Sequence, residues 1–180
     1  MTPPTLRTDR LVFSPYTAAD EEDFVALFAD ERVSRWMGDG PRPEAENRAL
    51  FHRVFDVYAE DRFDVWAVRR GAELIGHAEI KPTEVSGGHE IIYALVPSAW
   101  GQGLGTEIAR TLVTYGFERL GLDTVHATVA GENAPSLAVL DRLGFRRVKD
   151  LPEDDGSVTV LLSAARPGSG SGRRSSSASG

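Results

Sequence analysis

Three glycines, Gly101, Gly103 and Gly105, alternate where an apolar run gives way to a helical pattern. Because glycine has no Cβ, a backbone built in this way can turn tightly and direct its N–H groups toward a ligand. The start of the following helix adds partial positive charge, so the segment suits an anion, most naturally a diphosphate. Taken alone, the same spacing fits an ordinary turn equally well.

Two nucleotide-binding patterns differ from this glycine segment in detail. The phosphate-binding loop G-x-x-x-x-G-K-[ST] needs a lysine directly after its glycines, and this segment has none. The dinucleotide fingerprint G-x-G-x-x-G stands near the start of a series of alternating strands and helices. This segment is G-x-G-x-G and follows a run of strands that reads as an antiparallel meander. The sequence therefore disfavours both kinds of nucleotide site.

The composition of the 180-residue chain narrows the classes of function. A hydrophobic content of 41% fits one domain, and no stretch approaches the roughly 20 apolar residues of a membrane-spanning helix. The absence of cysteine excludes disulfides, thiolate metal sites and cysteine nucleophiles. Together with an N-terminus that lacks a secretory signal, it predicts a cytoplasmic protein. The histidines show no metal-binding spacing, so we expect no metal site: His52, His77, His89 and His126.

The net charge of −7 bears on the choice of partner. A surface of this sign disfavours nonspecific binding to nucleic acid and to anionic membranes, and we expect neither as a partner. It suits a cationic partner such as an amine, although solubility alone also explains an acidic surface.

Apolar periodicity predicts the elements that hold the glycine segment. Strand-like runs over 64–69, 73–80 and 89–96 form the antiparallel meander, and a fourth run covers 124–129. The last two runs are joined through a helix, which predicts that they are parallel neighbours. The full order is βααβββαβαββ, an α/β fold in which a mixed sheet of about seven strands is flanked by about four helices.

The chain divides into a folded part and a tail. Residues 1–165 carry the periodic elements, including an amphipathic helix over 44–60. Residues 166–180 contain no apolar side chain larger than alanine and are rich in glycine, serine and arginine. Such a segment cannot bury enough surface to offset its ordering entropy, so we predict a disordered tail.

A longer pattern carries a resemblance to a known family. The run EIIYALVPSAWGQGLGTEIARTLVTYGFERLGLDTVHATVAGENAPSLAVLDRLGFRRV combines the glycine segment, its helix, the NAPS turn and the LGFRR strand. This resembles the GNAT superfamily of acetyltransferases over about Leu6 to Ser163. Trp100 stands where the broader superfamily has Gln or Arg, and a tryptophan there is common in the Rim-type group, which acetylates protein N-terminal amines. The resemblance implies the GNAT (acyl-CoA N-acyltransferase) fold and acetyl-CoA as cosubstrate.

The resemblance also implies where acetyl-CoA lies. In such folds the two parallel strands separate, and the pantetheine arm enters the gap between them. Here that implicates backbone groups of Leu95 and Val96, and Asn133 occupies the position that faces the cofactor arm. The pyrophosphate is expected to meet backbone amides of the glycine segment: Gln102, Gly103, Leu104, Gly105 and Thr106.

Acetyl transfer to an amine needs a base, a donor to the thioester oxygen and a proton for the leaving thiolate. Glu90 matches the acidic residue of the group's E-I-G-Y segment and is the preferred base. The alternative is that Glu90 is an exposed strand carboxylate that makes a cross-strand pair, and Glu79 is the second candidate base. A backbone N–H near Val96 is expected to hold the oxyanion. Ser136 matches the serine assigned as the acid in the Rim-type group, or it is an ordinary first-turn residue. The tyrosine that many superfamily members use as the acid is replaced by Leu140.

These observations predict an enzyme that passes acetyl directly from acetyl-CoA to a primary amine, most simply a protein or peptide N-terminal α-amine. A small-molecule amine, such as a polyamine or an aminoglycoside, is the alternative acceptor, and a non-catalytic acyl-CoA-binding domain is the remaining possibility. Trp36 and Met37 fall where the family builds its acceptor loop, or they serve in packing. The sequence leaves open whether the protein is a monomer or a homodimer.

Overall fold

The computed structural model describes residues 1–38 and 40–168. Over this part of the chain, eight strands form one sheet and five helices cover it. The strands are β1 Leu6–Arg7, β2 Val12–Ser14, β3 Asp64–Arg70, β4 Glu73–Pro82, β5 His89–Leu95, β6 Thr124–Ala130, β7 Arg146–Pro152 and β8 Val158–Ala165. The helices are α1 Glu21–Ala29, α2 Glu31–Ser34, α3 Glu44–Glu60, α4 Leu104–Glu118 and α5 Ala134–Arg142.

The sheet has the order β1-β2-β3-β4-β5-β6-β8-β7 and separates two apolar cores. Successive side chains of a strand point to opposite faces, so each strand contributes to both cores. On one face α4 and α5 pack over a core that contains the fully buried Trp66 and Leu140. On the other face α1 and α3 cover an aromatic cluster around Phe24 and Phe51. These are called below the α4/α5 face and the α1/α3 face.

Among the strands of the described residues, β5 and β6 form the one parallel pair, and this pair opens along its length. β4 and β5 are in register from Gly76↔Leu95 to Pro82↔His89, whereas β5 and β6 pair only at Glu90↔His126. Beyond Glu90 the two strands diverge toward the glycine segment. The predicted gap between the parallel strands is therefore present, with Glu90 at its closed end.

Most of the predicted elements are confirmed, and the differences lie in the short ones. α3 has the predicted bounds, and the antiparallel meander and the parallel crossover are both found. The strand count is eight and the helix count five because the sequence analysis missed β1 and α2. β1 has two residues and α2 has four, which is too short to show a period of 2 or 3.6.

The first residue of the predicted tail, Arg166, makes hydrogen bonds to the folded part of the chain. β8 ends at Ala165, but the next residue, Arg166, is held against the end of α4. Its side chain donates to the carbonyl oxygens of Phe117 at 2.6 Å and Leu122 at 2.8 Å. Its N–H donates to the carbonyl of Asp123 at 2.8 Å. Of the predicted tail, residues 169–180 lie outside the described residues.

Candidate active site

The glycine segment turns sharply into α4 and leaves the start of that helix uncapped. Gly101 and Gly103 have φ values of 72° and 76°, a left-handed conformation that strongly favours glycine. Gly103 is the N-cap of α4, and no side chain caps the helix. The first-turn N–H groups of α4 lack partners within the helix by its geometry, and uncapped amides of this kind are suited to bind an anion.

Gly105 serves a different purpose from the other two glycines. It lies inside the first turn of α4, and a Cβ placed there would meet Leu95, Tyr93 and Val139 at 3.9–4.0 Å, which is ordinary contact. The sequence analysis gave all three alternating glycines the same role in the turn. The structure assigns that role to Gly101 and Gly103 only.

Two arginines from distant strands hold the glycine segment in place. Arg10, just before β2, donates to the carbonyl of Gln102 at 2.7 Å and to the Glu107 carboxylate in α4 at 2.7 Å. Arg70, at the end of β3, donates to the Gln102 side chain at 2.9 Å. Neither arginine could be predicted from the sequence, since no local pattern links it to a segment more than 30 residues away.

The backbone at the end of β5 departs from the expectation for Val96. The Val96 N–H donates to the carbonyl of Ile75 at 2.9 Å, and the Val96 carbonyl accepts from Ala99 at 2.9 Å. The N–H of Val96 therefore points to β4 and is unavailable to an oxyanion in the gap. In an antiparallel pair, consecutive residues alternate between facing their partner strand and facing away. The backbone N–H of Leu95 consequently faces the gap. The carbonyl oxygen of Leu95 accepts a hydrogen bond from the Trp100 indole at 3.0 Å.

The two candidate bases lie near each other on the α1/α3 face. Glu90 is directly opposite Lys81, and Glu79 is a diagonal neighbour of Glu90 on β4. Thr128 on β6 donates to Glu90 at 3.2 Å. The ion pair of Lys81 is with Glu79, at 3.7 Å, and not with Glu90. Glu90 thus has a cross-strand partner on β6, which fits the alternative interpretation, but it forms no ion pair with Lys81.

Glu79 ends a buried hydrogen-bonded chain that the sequence analysis missed. His77, only 3% exposed, has its Nε2 2.8 Å from Glu79 and its Nδ1 2.8 Å from the Tyr16 hydroxyl. A carboxylate only accepts, so in neutral His77 the Nε2–H donates to Glu79 and Nδ1 accepts from Tyr16. Burial raises the pKa of Glu79. The hydrogen bond from His77, the positive charge of His77 in its protonated form and the charge of Lys81 outweigh the effect of burial and lower the pKa.

The first turn of α5 supplies the predicted polar residues on the α4/α5 face. Asn133 is buried and caps the helix, its side-chain oxygen accepting from the Ser136 N–H at 3.4 Å. Leu140 is fully buried, so the position of the superfamily's tyrosine carries no donor. Tyr93, which reads in sequence as part of an apolar strand, packs its ring near Gly105 with its hydroxyl buried.

The site thus has an anion-binding loop, a gap between parallel strands and carboxylates at the closed end of that gap. Residues 10–146 of this chain match the protein family described as the acetyltransferase (GNAT) domain. The chain belongs to the GNAT acetyltransferases. As a GNAT enzyme it is an N-acetyltransferase that uses acetyl-CoA, and the loop and gap fit a pyrophosphate and an extended arm.

Similar proteins agree with this family. The uncharacterized N-acetyltransferase YoaA of Bacillus subtilis is 32% identical over 151 residues, which cover 80% of this chain and 84% of YoaA. An acetyltransferase structure from Agrobacterium tumefaciens aligns with a TM-score of 0.78 at 26% identity, covering 92% of this chain and 96% of that one. RimL, a ribosomal L7/L12 alpha-N-protein acetyltransferase in complex with coenzyme A, aligns with a TM-score of 0.77 at 13% identity, covering 90% and 98%. At that identity, the RimL likeness shows the fold alone.

An acidic groove lies beside α1 in this GNAT domain. The groove, of about 420 Å³, lies between α1 and the segment after β5, where Val96 forms part of its wall. Asp23, Asp30 and Glu73 line it, and Arg32 is paired with Asp30. Of the residues expected in the acceptor loop, Trp36 is 36% exposed, and Met37 packs against the α1/α3 core.

Two further features of the GNAT domain concern the described residues only. No helix in 1–38 and 40–168 is long and apolar enough to cross a membrane. The same residues contain no cluster of three His, Asp or Glu side chains that could hold a metal ion.

Proposed function

We propose that this GNAT enzyme transfers acetyl directly from acetyl-CoA to the N-terminal α-amine of a protein or peptide, in a ternary complex. The observation that carries the proposal is the gap between β5 and β6, which runs from the glycine segment to Glu90. An acetyl group at the end of an arm in this gap would lie beside Glu90. An amine that approaches from the α1/α3 face would then meet both the acetyl group and a base.

The residues have distinct roles in this proposal. The uncapped amides of Gly103, Leu104 and the rest of the first turn bind the pyrophosphate. Glu90 accepts the proton of the amine, directly or through one water, as the amine nitrogen attacks the thioester carbon. The Leu95 N–H, which faces the gap, donates to the developing oxyanion. The tetrahedral intermediate then collapses, the C–S bond breaks and its electron pair goes to sulfur.

The preference for an α-amine rests on acidity and on Trp100. With a pKa near 8, roughly a tenth of α-amines are neutral at pH 7, against roughly one lysine side chain in 2,500. A single carboxylate base is therefore better matched to an α-amine than to a lysine. Trp100, the residue shared with the Rim-type group, donates to the Leu95 carbonyl and so lies directly at the mouth of the gap.

A small polyamine or an aminoglycoside is the second candidate acceptor. The observation in its favour is the groove lined by Asp23, Asp30 and Glu73, since carboxylates attract a compound with several ammonium groups.

A panel of acceptors separates the two candidates. Purified protein and acetyl-CoA are incubated with peptides of varied N-terminal residue, with the same peptides blocked at the α-amine, and with polyamines and aminoglycosides, and CoA release is followed. We expect turnover only with free α-amines. Turnover restricted to the small amines would reject the α-amine acceptor while keeping the acetyltransferase.

A further inference from the structure

Tyr93 is an unusual residue of the gap that has no role in the mechanism above. It lies on β5, three residues from Glu90 on the strand that borders the gap. Its side chain joins the α4/α5 core, whereas Ala94 beside it joins the α1/α3 core, so Tyr93 and Glu90 project from opposite faces of the sheet. The acetyl group in the gap would therefore have Glu90 on one side and Tyr93 on the other.

The Tyr93 hydroxyl is buried, and among the described residues no polar atom meets it at full hydrogen-bond geometry, although the Ser136 side chain interacts with it. The ring edge lies 4.0 Å from the Cβ position of Gly105, and the Ser136 side chain is the polar group that acts on the hydroxyl. The hydroxyl thus lies between the first turns of α4 and α5. A phenol hydroxyl can both donate and accept, so a buried one that has only a loose contact with Ser136 keeps bonding capacity for a partner carried by a ligand in the gap.

We propose that Tyr93 donates a hydrogen bond to the sulfur of coenzyme A and so stabilises the thiolate as it leaves. This inference rests on the proposed function, because it takes the gap as the path of the pantetheine arm. Tyr93 then supplies the hydroxyl donor that the superfamily's tyrosine provides elsewhere and that Leu140 lacks. Ser136 then holds the Tyr93 hydroxyl in place, as a positioning residue, and is not itself the acid.

The pKa values of Tyr93 and of the thiol decide whether Tyr93 only donates a hydrogen bond to the sulfur or transfers its proton to it. Burial raises the pKa of Tyr93 to about 12, with Ser136 acting in the opposite direction. A free thiol has a pKa near 8.5, so full transfer from this phenol to a thiolate is strongly uphill. Tyr93 therefore keeps its proton and donates a hydrogen bond. As the C–S bond breaks, the thiolate takes the electron pair, and its proton comes later from solvent, while the amine proton leaves through Glu90.

The thiol pKa of bound coenzyme A tests this inference without an acceptor. Coenzyme A is bound to the wild type and to Tyr93→Phe, and the ultraviolet absorbance of the thiolate is titrated with pH. A lost hydrogen bond to the thiolate should make the bound thiol pKa higher by about 1 in Tyr93→Phe. Desulfo-coenzyme A, which lacks the sulfur, should bind the two proteins equally.

Tyr115→Phe is the matched control, because it removes another largely buried phenol hydroxyl from the same core. That hydroxyl donates to Asp64 at 2.9 Å, away from α5. The thiol pKa should be the same in Tyr115→Phe as in the wild type. Once an acceptor is known, Tyr93→Phe should lower kcat by roughly 10- to 100-fold and leave KM for acetyl-CoA nearly unchanged.

The outcomes separate this inference from the proposed function. If the wild type and Tyr93→Phe both bind coenzyme A with the same thiol pKa, the role of Tyr93 is rejected and the proposed function is unaffected. A weaker binding of both coenzyme A and desulfo-coenzyme A by Tyr93→Phe, with no change in thiol pKa, would assign the residue to packing. No binding of coenzyme A by the wild type would instead reject the proposed function.

Discussion

Two carboxylates stand beside the gap, and their partners distinguish them. Glu79 has one oxygen on His77 and the other near Lys81, so both of its oxygens are engaged. Glu90 accepts one longer hydrogen bond, from Thr128 at 3.2 Å. A general base needs an accessible lone pair within reach of the amine proton, and Glu90 meets this condition better.

The two carboxylates are compared by isosteric substitution. We expect Glu90→Gln to lower kcat by about 100-fold, because the amide cannot accept the proton, while the Kd for acetyl-CoA is unchanged. Glu79→Gln is the matched variant and should lower kcat by less than about tenfold. Steady-state kinetics and calorimetry measure both quantities. A larger loss of kcat in Glu79→Gln than in Glu90→Gln would reverse the assignment.

The lowered pKa of Glu79 gives a pH dependence of stability. Since its folded-state pKa lies below the ordinary value of 4.5, the ionised Glu79 stabilises the fold above that pH, and this contribution is lost as the pH falls through the folded-state pKa. We expect the free energy of unfolding of the wild type to exceed that of Glu79→Gln by a constant amount near neutrality. The difference should shrink below about pH 4.5 in urea titrations. A difference that grows on acidification would contradict the lowered pKa.

At the scale of the elements, the glycine segment and α4 are the part of the enzyme that we propose binds the pyrophosphate. Arg10 and Arg70 hold the backbone and side chain of Gln102. The segment is therefore fixed before a ligand arrives, so little ordering entropy is lost on binding.

The glycine segment yields a pair of matched substitutions. Gly103→Ala forces alanine to adopt a φ of 76°, which costs about 1–2 kcal/mol or tilts the first amides of α4. We expect the Kd for coenzyme A, measured by calorimetry, to rise by tenfold or more. Gly105→Ala, with only ordinary contacts, should change the Kd by less than about threefold. Equal effects of the two substitutions would argue that glycine conformation does not shape the anion site.

The sequence predicts what depends on local pattern and misses what depends on register and distant contacts. α3 and the Asn133 cap follow from periodicity and capping preference, and the parallel crossover follows from the chain order. The direction of the Val96 N–H depends on strand register, because a shift of one residue makes each backbone and side-chain group of the strand point in the opposite direction. Arg10 meets Gln102 across 92 residues, and Tyr93 looks like any core aromatic until α5 lies beside it.

At the scale of the whole molecule, the sheet divides the chemistry between its two faces. The α1/α3 face carries Glu79, Glu90 and the acidic groove, whereas the α4/α5 face carries the anion-binding loop and Tyr93. Because β5 and β6 separate, a ligand can lie in the plane of the sheet and be reached from both sides. In the proposed function, the amine and the thiol therefore have separate environments around one acetyl group.

The end of the folded domain is tested by truncation. A chain that ends after Gly168 should unfold with the same free energy as the full chain, because residues 169–180 are predicted to be a tail. A chain that ends after Ala165 loses the hydrogen bonds of Arg166 to Phe117 and Leu122. We expect it to be less stable by about 1–3 kcal/mol in urea unfolding. Equal stability of the two truncated chains would show that Arg166 contributes nothing.

The most direct test of the proposed function is the position of the acetyl group on one product. A peptide with both a free α-amine and a lysine is incubated with the enzyme and acetyl-CoA, and tandem mass spectrometry locates the added acetyl group. We predict acetylation of the α-nitrogen, with the lysine unmodified. Acetyl on the lysine side chain, or an unmodified peptide under conditions in which a small amine is acetylated, would contradict the account.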